Sequence, residues 1–149
     1  MAIHKESRKL NYSPQQLFDI IADVERYPEF LPLWQEVKVS KNNHTDSEHF
    51  SYYTHQTIQL GPARKRFCTE THLYPFKRIH IQSSDPLFQK FNMDWLFISN
   101  NENQCVIEFS LNCQAASLLL RPIFDMVLLQ TAHSIVSAFE RRARLIYGN

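Results

Sequence analysis

Glycine is nearly absent from this chain, which contains only Gly61 and Gly148. Rossmann folds and P-loops need several glycines, because the backbone has to approach a phosphate closely. Two glycines so far apart exclude both kinds of nucleotide site. A large charge of one sign is also missing. The net charge is +1, so the molecule as a whole does not attract nucleic acid, and no DNA partner is expected.

Long apolar runs and paired cysteines are missing as well. No run approaches the roughly 18 apolar residues that cross a bilayer, and no signal-peptide pattern opens the chain. Cys68, Cys105 and Cys113 are odd in number and lack metal-ligand spacing, which is typical of reduced thiols. The seven histidines also lack such spacing, so no metal is expected. The sequence therefore predicts a cytoplasmic protein, and peripheral contact at the inner face of the membrane is a further hypothesis.

The segment from Asn11 to Trp34 begins with a well-defined helix start. Ser13 is a good N-cap, and Pro14 stands at the first helical position, where its missing N–H costs nothing. The apolar residues that follow share one helix face: Leu17, Phe18, Ile20, Ile21 and Val24. Tyr27-Pro28 ends this pattern, and Phe30–Trp34 is apolar throughout. We interpret Phe30–Trp34 either as a gate or membrane-contacting lip over a cavity, or as a hydrophobic staple between sheet and helices.

The remaining sequence changes period twice. Alternation from Val37 to Cys113 predicts about six antiparallel strands, each with one buried face, and a turn at Lys41–Asn43. From about Ser117 an apolar stripe at helical spacing predicts one long helix with Gly148 as its C-cap. Residues 1–149 are thus predicted to form a single α+β domain. The antiparallel sheet is expected to have about six to seven strands, and two short helices follow the first strand.

Motifs along the chain carry a family resemblance. They are the segment Asn11–Trp34, Gly61-Pro62 with Arg64–Phe67, Asp85–Phe88 with Trp95 and Phe97, and Ala138–Ala143 ending in Tyr147-Gly148. Together they resemble the coenzyme Q-binding branch of the START-like superfamily, also called SRPBCC or polyketide cyclase/dehydrase. Leu33 stands where that branch usually has Trp. The resemblance covers nearly the whole chain and implies the helix-grip fold, in which the curved sheet wraps around the long C-terminal helix. It also implies a START-like lipid-binding domain with an elongated cavity between the sheet and that helix.

The resemblance implies a non-enzymatic protein that binds ubiquinone or a polyprenyl quinone intermediate. Such a protein would be a carrier or chaperone for quinone biosynthesis and respiratory electron transport, with the lipid as ligand and no cofactor. The residues expected to line the cavity are apolar: Phe30, Leu31, Leu33, Trp34, Phe67, Phe88, Trp95, Phe97, Phe109, Phe124, Val127, Leu128 and Ile135. The alternative is that these side chains simply fill the core, as apolar residues at such periods commonly do.

Two other functions stay open. Relatives with the same motifs are ribosome-association toxins, and binding the large ribosomal subunit would need Arg64–Arg66 and Arg141–Arg144 on one surface. Other members of the superfamily are polyketide cyclases or dehydratases, which need polar groups converging in the cavity. Cys68 and His72 would lie about 13 Å apart on one strand face, too far for a nucleophile and its base. No catalytic residue is therefore predicted, and the protein is not expected to be an enzyme.

Overall fold

The computed structural model describes residues 2–46 and 48–148, with side chains described for residues 3–40 and 48–148. In chain order the elements are strand β1 (Ala2–Leu10), helix α1 (Pro14–Ala22), a 3-10 helix (Val24–Glu29), β2 (Trp34–Asp46), β3 (His49–Leu60), β4 (Ala63–Tyr74), β5 (Arg78–Gln82), β6 (Phe88–Asn101), β7 (Gln104–Ala115) and α2 (Arg121–Tyr147). The strands form one seven-stranded antiparallel sheet in the order β1-β7-β6-β5-β4-β3-β2. The predicted α+β helix-grip architecture, with two short helices after the first strand, is confirmed.

Helix α1 begins where the sequence predicts. The Ser13 hydroxyl accepts a hydrogen bond from the Gln16 N–H at 3.1 Å, and Gln16 Oε1 accepts one from the Ser13 N–H at 2.9 Å. This capping box satisfies two backbone donors that a helix start otherwise leaves unpaired. The helix buries Leu17, Phe18, Ile20 and Ile21. It thereby holds the N-terminal segment against the sheet.

The strands alternate between a core face and an outer face. In β4, for example, Phe67, Thr69, Thr71 and Leu73 are buried, and the residues between them are half-buried or exposed. The turn predicted at Lys41–Asn43 is wrong, because those residues lie within β2. The register between β2 and β3 shifts between Ser40 and Asn42, and such a bulge takes up a residue within a continuous strand. The pairing of β2 with β3 continues to Asp46 and His49.

Helix α2 packs along the concave face of the sheet and is fixed at both ends. Near its start the Arg121 Nε–H donates to the Ala115 carbonyl at 3.0 Å. At its end the Tyr147 hydroxyl donates to the Gln16 carbonyl at 3.1 Å, and the Tyr12 hydroxyl donates to the Gly148 carbonyl at 2.7 Å. Gly148 has a φ of +81°, a conformation that favours glycine, and it caps the helix as predicted.

Helix α2 is also unusually apolar. Among the described residues it is the one helix that is long and apolar enough to cross a membrane by length and composition. The core helix of a globular domain passes the same test. Here the packed residues face the sheet: Phe124, Leu128, Ala132, Ile135, Val136, Ala138, Phe139 and Ala143. Of the most apolar stretch of the helix 33% is buried, on the side that packs against the sheet.

The capping box generates a stability prediction. Ser13→Ala removes the side-chain acceptor for the Gln16 N–H, so the free energy of unfolding should fall by about 1 kcal/mol. Urea denaturation followed by circular dichroism measures it. Ser7→Ala, at an exposed position of β1, serves as the control and should change it by less than about 0.5 kcal/mol. Equal effects of the two substitutions would show that the box does not stabilise α1.

Candidate ligand-binding site

The space between α2 and the concave face of the sheet is almost filled. The cavity that remains has a volume of about 40 Å³, little more than a single water molecule occupies. Its lining comes from the 3-10 helix, the strands β2 to β7 with the residue before β2, and α2: Val24, Tyr27, Leu33, Trp34, Gln56, Ile58, Phe67, Thr71, Ile81, Phe88, Phe91, Met93, Phe109, Leu111, Leu128, Thr131, Ala132 and Ile135. Among the residues that the structure describes, this lining contains no carboxylate, cation, imidazole or thiol.

The predicted site residues divide into two groups. Those that line the cavity are Leu33, Trp34, Phe67, Phe88, Phe109, Leu128 and Ile135. Those outside the lining are Phe30, Leu31, Trp95, Phe97, Phe124 and Val127. Most of the second group belongs to the surrounding core. The Trp95 ring packs against Phe109 at a tilt of 41° with ring centroids 4.4 Å apart, and Phe97 packs on Phe18 at 5.7 Å. Ligand contact stays a prediction for the residues of both groups.

The segment Phe30–Trp34 packs against the domain in this structure. The Phe30 ring centroid lies 5.3 Å from that of Phe139. The guanidinium carbon of Arg142 lies over the Phe30 ring, 4.9 Å from its centroid. Leu31 is buried, and the Trp34 ring lies 6.2 Å from that of Tyr27. These contacts are those of a staple between sheet and helices. The segment would work as a gate only in a conformation that breaks them.

A polar ladder crosses the inner face of β3 and β4 beside the cavity, and we define it as Tyr52, Thr54, Gln56, Thr69 and Thr71. All of its members are buried. Gln56 Nε2 donates to the hydroxyls of Thr54 at 2.9 Å and Thr69 at 3.2 Å. Its Oε1 accepts a hydrogen bond from the Trp34 indole N–H at 2.8 Å. The ladder therefore brings amide and hydroxyl groups into an otherwise apolar interior.

Sequence reasoning missed the polar ladder although the signal was present. Thr54 and Gln56 have the same parity as Tyr52 and Ile58, which the alternation assigns to the core face. Polar side chains at core positions of a strand are unusual and point to hydrogen bonding inside. Thr54 and Gln56 at core-facing positions therefore predict a buried hydrogen-bonded group on this strand.

The hydroxyls around the cavity are uncharged. Burial is the largest cause that raises the pKa of Tyr27 and of Tyr52 well above the ordinary value for tyrosine. The Tyr52 hydroxyl donates to the Ala22 carbonyl at 3.0 Å, and the Tyr27 hydroxyl donates to the Ile21 carbonyl. The cavity thus offers neutral hydrogen-bonding groups, and its lining holds no counter-charge for an ionised ligand.

The outer face of the sheet holds a second polar grouping that sequence spacing did not reveal. Cys68 and His55 lie directly opposite each other on β4 and β3, and Cys68 Sγ is 3.2 Å from His55 Nδ1. Spacing along β4 pairs Cys68 only with His72. The neighbour His55 lies on β3, and it can be identified only when the register of the β3–β4 hairpin is known. Within the described parts of the chain, no group of three or more His, Cys, Asp or Glu residues is placed to hold a metal ion.

The polar ladder generates a second stability prediction. Gln56→Leu leaves the Trp34 indole N–H without its acceptor, so the free energy of unfolding should fall by about 1–3 kcal/mol. Urea denaturation measures it. Gln59→Leu on the same strand loses only an exposed hydrogen bond to the Gly61 carbonyl, and its effect should stay below about 0.5 kcal/mol. A loss for Gln56→Leu as small as the control's would contradict a structural role for the ladder.

Comparisons with known proteins agree with this geometry at the level of fold. An 18 kDa protein of Caulobacter crescentus, solved in solution, has a TM-score of 0.78 at 22% identity, with 100% of both chains covered. The Zhui aromatase/cyclase of Streptomyces has a TM-score of 0.74 at 12% identity, covering 99% of this chain and 97% of that one. At these identities the likeness concerns the fold alone.

Sequence relatives and a family model carry the comparison further. The ribosome association toxin RatA of Pseudomonas aeruginosa is 30% identical over 149 residues, covering 99% of this chain and 100% of the toxin. The mitochondrial coenzyme Q-binding protein COQ10 homolog B of Xenopus laevis is 28% identical, covering 97% of this chain and 59% of that protein. The model of the family described as polyketide cyclase/dehydrase and lipid transport matches residues 10–140. The resemblance seen in the sequence is thus confirmed, and the chain belongs to this polyketide cyclase/dehydrase and lipid transport family.

Proposed function

We propose that this protein is a non-enzymatic carrier of an uncharged, lipid-like ligand, a ubiquinone or a polyprenyl quinone intermediate. The observation that carries the proposal is the neutral polar ladder set in an apolar interior between the sheet and α2. The lining holds no carboxylate, thiol or imidazole, which supports binding rather than acid–base or nucleophilic catalysis. The relative named as a coenzyme Q-binding protein supports the same ligand class.

The chemistry of the interior favours a neutral head group with an apolar tail. Quinone carbonyl oxygens accept hydrogen bonds. Gln56 Nε2, the Trp34 indole and the ladder hydroxyls bond to one another in the closed structure, and they would donate to the ligand by exchanging these partners. A prenyl tail would replace contacts between apolar walls, and each methylene buried is worth about 0.8 kcal/mol. An ionised head group would lose its hydration without gaining a counter-charge. Quinones are therefore favoured over fatty acids and phospholipids.

Loading requires the interior to open. A cavity of about 40 Å³ is far below the roughly 300 Å³ at which drug-sized ligand pockets begin. The ligand must therefore bind a form in which α2 or the Phe30–Trp34 segment has moved. Only molecules in that form bind the ligand, so the apparent Kd is the intrinsic Kd divided by the fraction of molecules in that form.

Ribosome binding is the second candidate, because several relatives are named ribosome association toxins. In this structure Arg64 and Arg66 are exposed on the convex face of β4, whereas α2, which carries Arg141–Arg144, lies on the concave side. Arg142 is also engaged by Glu29, at 2.7 Å. The two basic clusters therefore do not combine into one surface, which supports the carrier proposal over this alternative.

The carrier proposal predicts a specific loss of binding when the cavity is filled. Ala132 is buried and lines the cavity. Ala132→Val adds two methyl groups, which displace ligand contacts worth about 1.6 kcal/mol, so affinity for a short-tailed ubiquinone should fall about tenfold or more. Quenching of tryptophan fluorescence measures binding, since Trp34 lines the cavity and Trp95 packs behind it.

The matched control is Ala138→Val, the same change at a buried position of α2 outside the cavity lining. It should leave quinone affinity within about twofold, whatever it does to stability. Two results together would overturn the carrier proposal in favour of ribosome binding. The unaltered protein would not bind quinone, and it would sediment with large ribosomal subunits in a way that Arg64→Glu and Arg66→Glu abolish.

The neutral lining predicts selectivity by head-group charge. At neutral pH a fatty acid with a tail as long as that of the quinone should bind at least about a hundredfold more weakly, because its carboxylate loses hydration in the interior. Competition against bound quinone measures the ratio. Equal affinities for the two ligands would show that the head group stays in water and that the polar ladder does not contact it.

A further inference from the structure

A surface groove on the convex side of the sheet results from the shortness of β5. β5 ends at Gln82, which pairs with Glu70 on one side and Asn92 on the other. Beyond that point no strand separates Cys68 of β4 from Lys90 of β6, and the segment 83–87 crosses the gap. The groove there has a volume of about 690 Å³ and is lined in part by Cys68, Glu70 and Lys90. This size is within the range of pockets for small organic molecules.

Cys68 lies in the wall of this groove with a base beside it. Its side chain is exposed, and His55 Nδ1 lies 3.2 Å from Sγ across the β3–β4 pair. The cysteine backbone is fixed on both sides, since its N–H donates to Asp85 Oδ2 at 2.9 Å and its carbonyl accepts a hydrogen bond from the Ser83 hydroxyl. The sulfur is therefore held in one place, in reach of both the histidine and the groove.

The charges around Cys68 are mixed. His55 faces it from β3, Arg66 and Glu70 are the next residues on the same face of β4, Asp85 approaches from the 83–87 segment, and Lys90 lines the groove from β6. Glu70 is itself engaged, because its Oε1 accepts hydrogen bonds from Gln82 at 3.0 Å and from His72. His55 is the group in direct contact with the sulfur. It is therefore the group placed to take the thiol proton.

We propose that Cys68 is a thiol–disulfide exchange site, with His55 as its general base and a low-molecular-weight disulfide in the groove as its substrate. The thiol proton passes to His55 Nδ1, and the Cys68 thiolate attacks one sulfur of the disulfide. A new S–S bond forms to Cys68 as the old one breaks, and the departing thiolate takes the proton from His55. The product is a mixed disulfide at Cys68. No further oxidant is needed, since the incoming disulfide is reduced to one free thiol.

The two other cysteines provide internal controls. Cys105 and Cys113 are buried, and burial raises the pKa of their thiols to about 11 and about 12 respectively. A raised pKa keeps a thiol protonated, so at neutral pH both remain unreactive toward disulfides while the protein is folded. Modification restricted to Cys68 is thus the expectation for the native protein.

The test is to incubate the folded full chain with oxidised glutathione near neutral pH and follow the adduct by intact-protein and peptide mass spectrometry. One glutathione per chain should appear on Cys68, and His55→Gln should slow its appearance about tenfold. His80→Gln, which removes a histidine elsewhere on the sheet that is bonded to Asp94 and Arg78, should leave the rate unchanged. Circular dichroism verifies that each variant is folded.

Two results would overturn this assignment. An unchanged rate in folded His55→Gln would show that the histidine is not the base. Adducts on Cys105 or Cys113 at a rate equal to that on Cys68 would show that the groove confers no selectivity. Both outcomes are independent of quinone binding, because Cys68 lies outside the cavity lining.

Discussion

Phe139 is the point at which the separate layers of this domain are joined. It lies on α2, it is 1% exposed, and its ring meets those of Tyr27 at 5.4 Å, Phe30 at 5.3 Å and Trp95 at 5.3 Å. These contacts connect the long helix to the 3-10 helix, to the segment Phe30–Trp34 and to the middle of the sheet. Aromatic pairs of this edge-to-face kind add to the stabilisation from burial. The position of α2, and with it the size of the interior, depends on this cluster.

The interior combines two properties that usually conflict. Close packing and a remaining cavity of about 40 Å³ are typical of a stable core, where voids are few. Buried amide and hydroxyl groups such as Gln56 and Thr69 cost free energy unless they are hydrogen-bonded, and here they satisfy one another. A ligand with a polar head would exchange these internal bonds for its own. The same groups thus stabilise the closed domain and would be the hydrogen-bond partners of the proposed ligand.

Local sequence signals predicted the fold well, because its elements depend on neighbours along the chain. Ser13-Pro14 determines a helix start within four residues, and alternation in β4 records which face is buried. The site was harder, because it depends on distances between strands. Cys68 and His55 meet only through the β3–β4 register. The separation of Phe67, which lines the cavity, from Phe124, which does not, depends on packing in three dimensions. Both are equally apolar in sequence.

The anchoring of α2 at each end has a mechanical consequence. A helix fixed at one end can swing outward as a rigid body. Helix α2 is fixed at Arg121 and again at Tyr147 and Gly148, so it can move away from the sheet only by bending between these ends. The residues of α2 that line the cavity lie between these ends, from Leu128 to Ile135. Entry of the proposed ligand would therefore displace the middle of the helix sideways while its two ends stay in place. A slender, flexible tail would need only a small displacement, so this arrangement would favour long thin ligands over broad rigid ones.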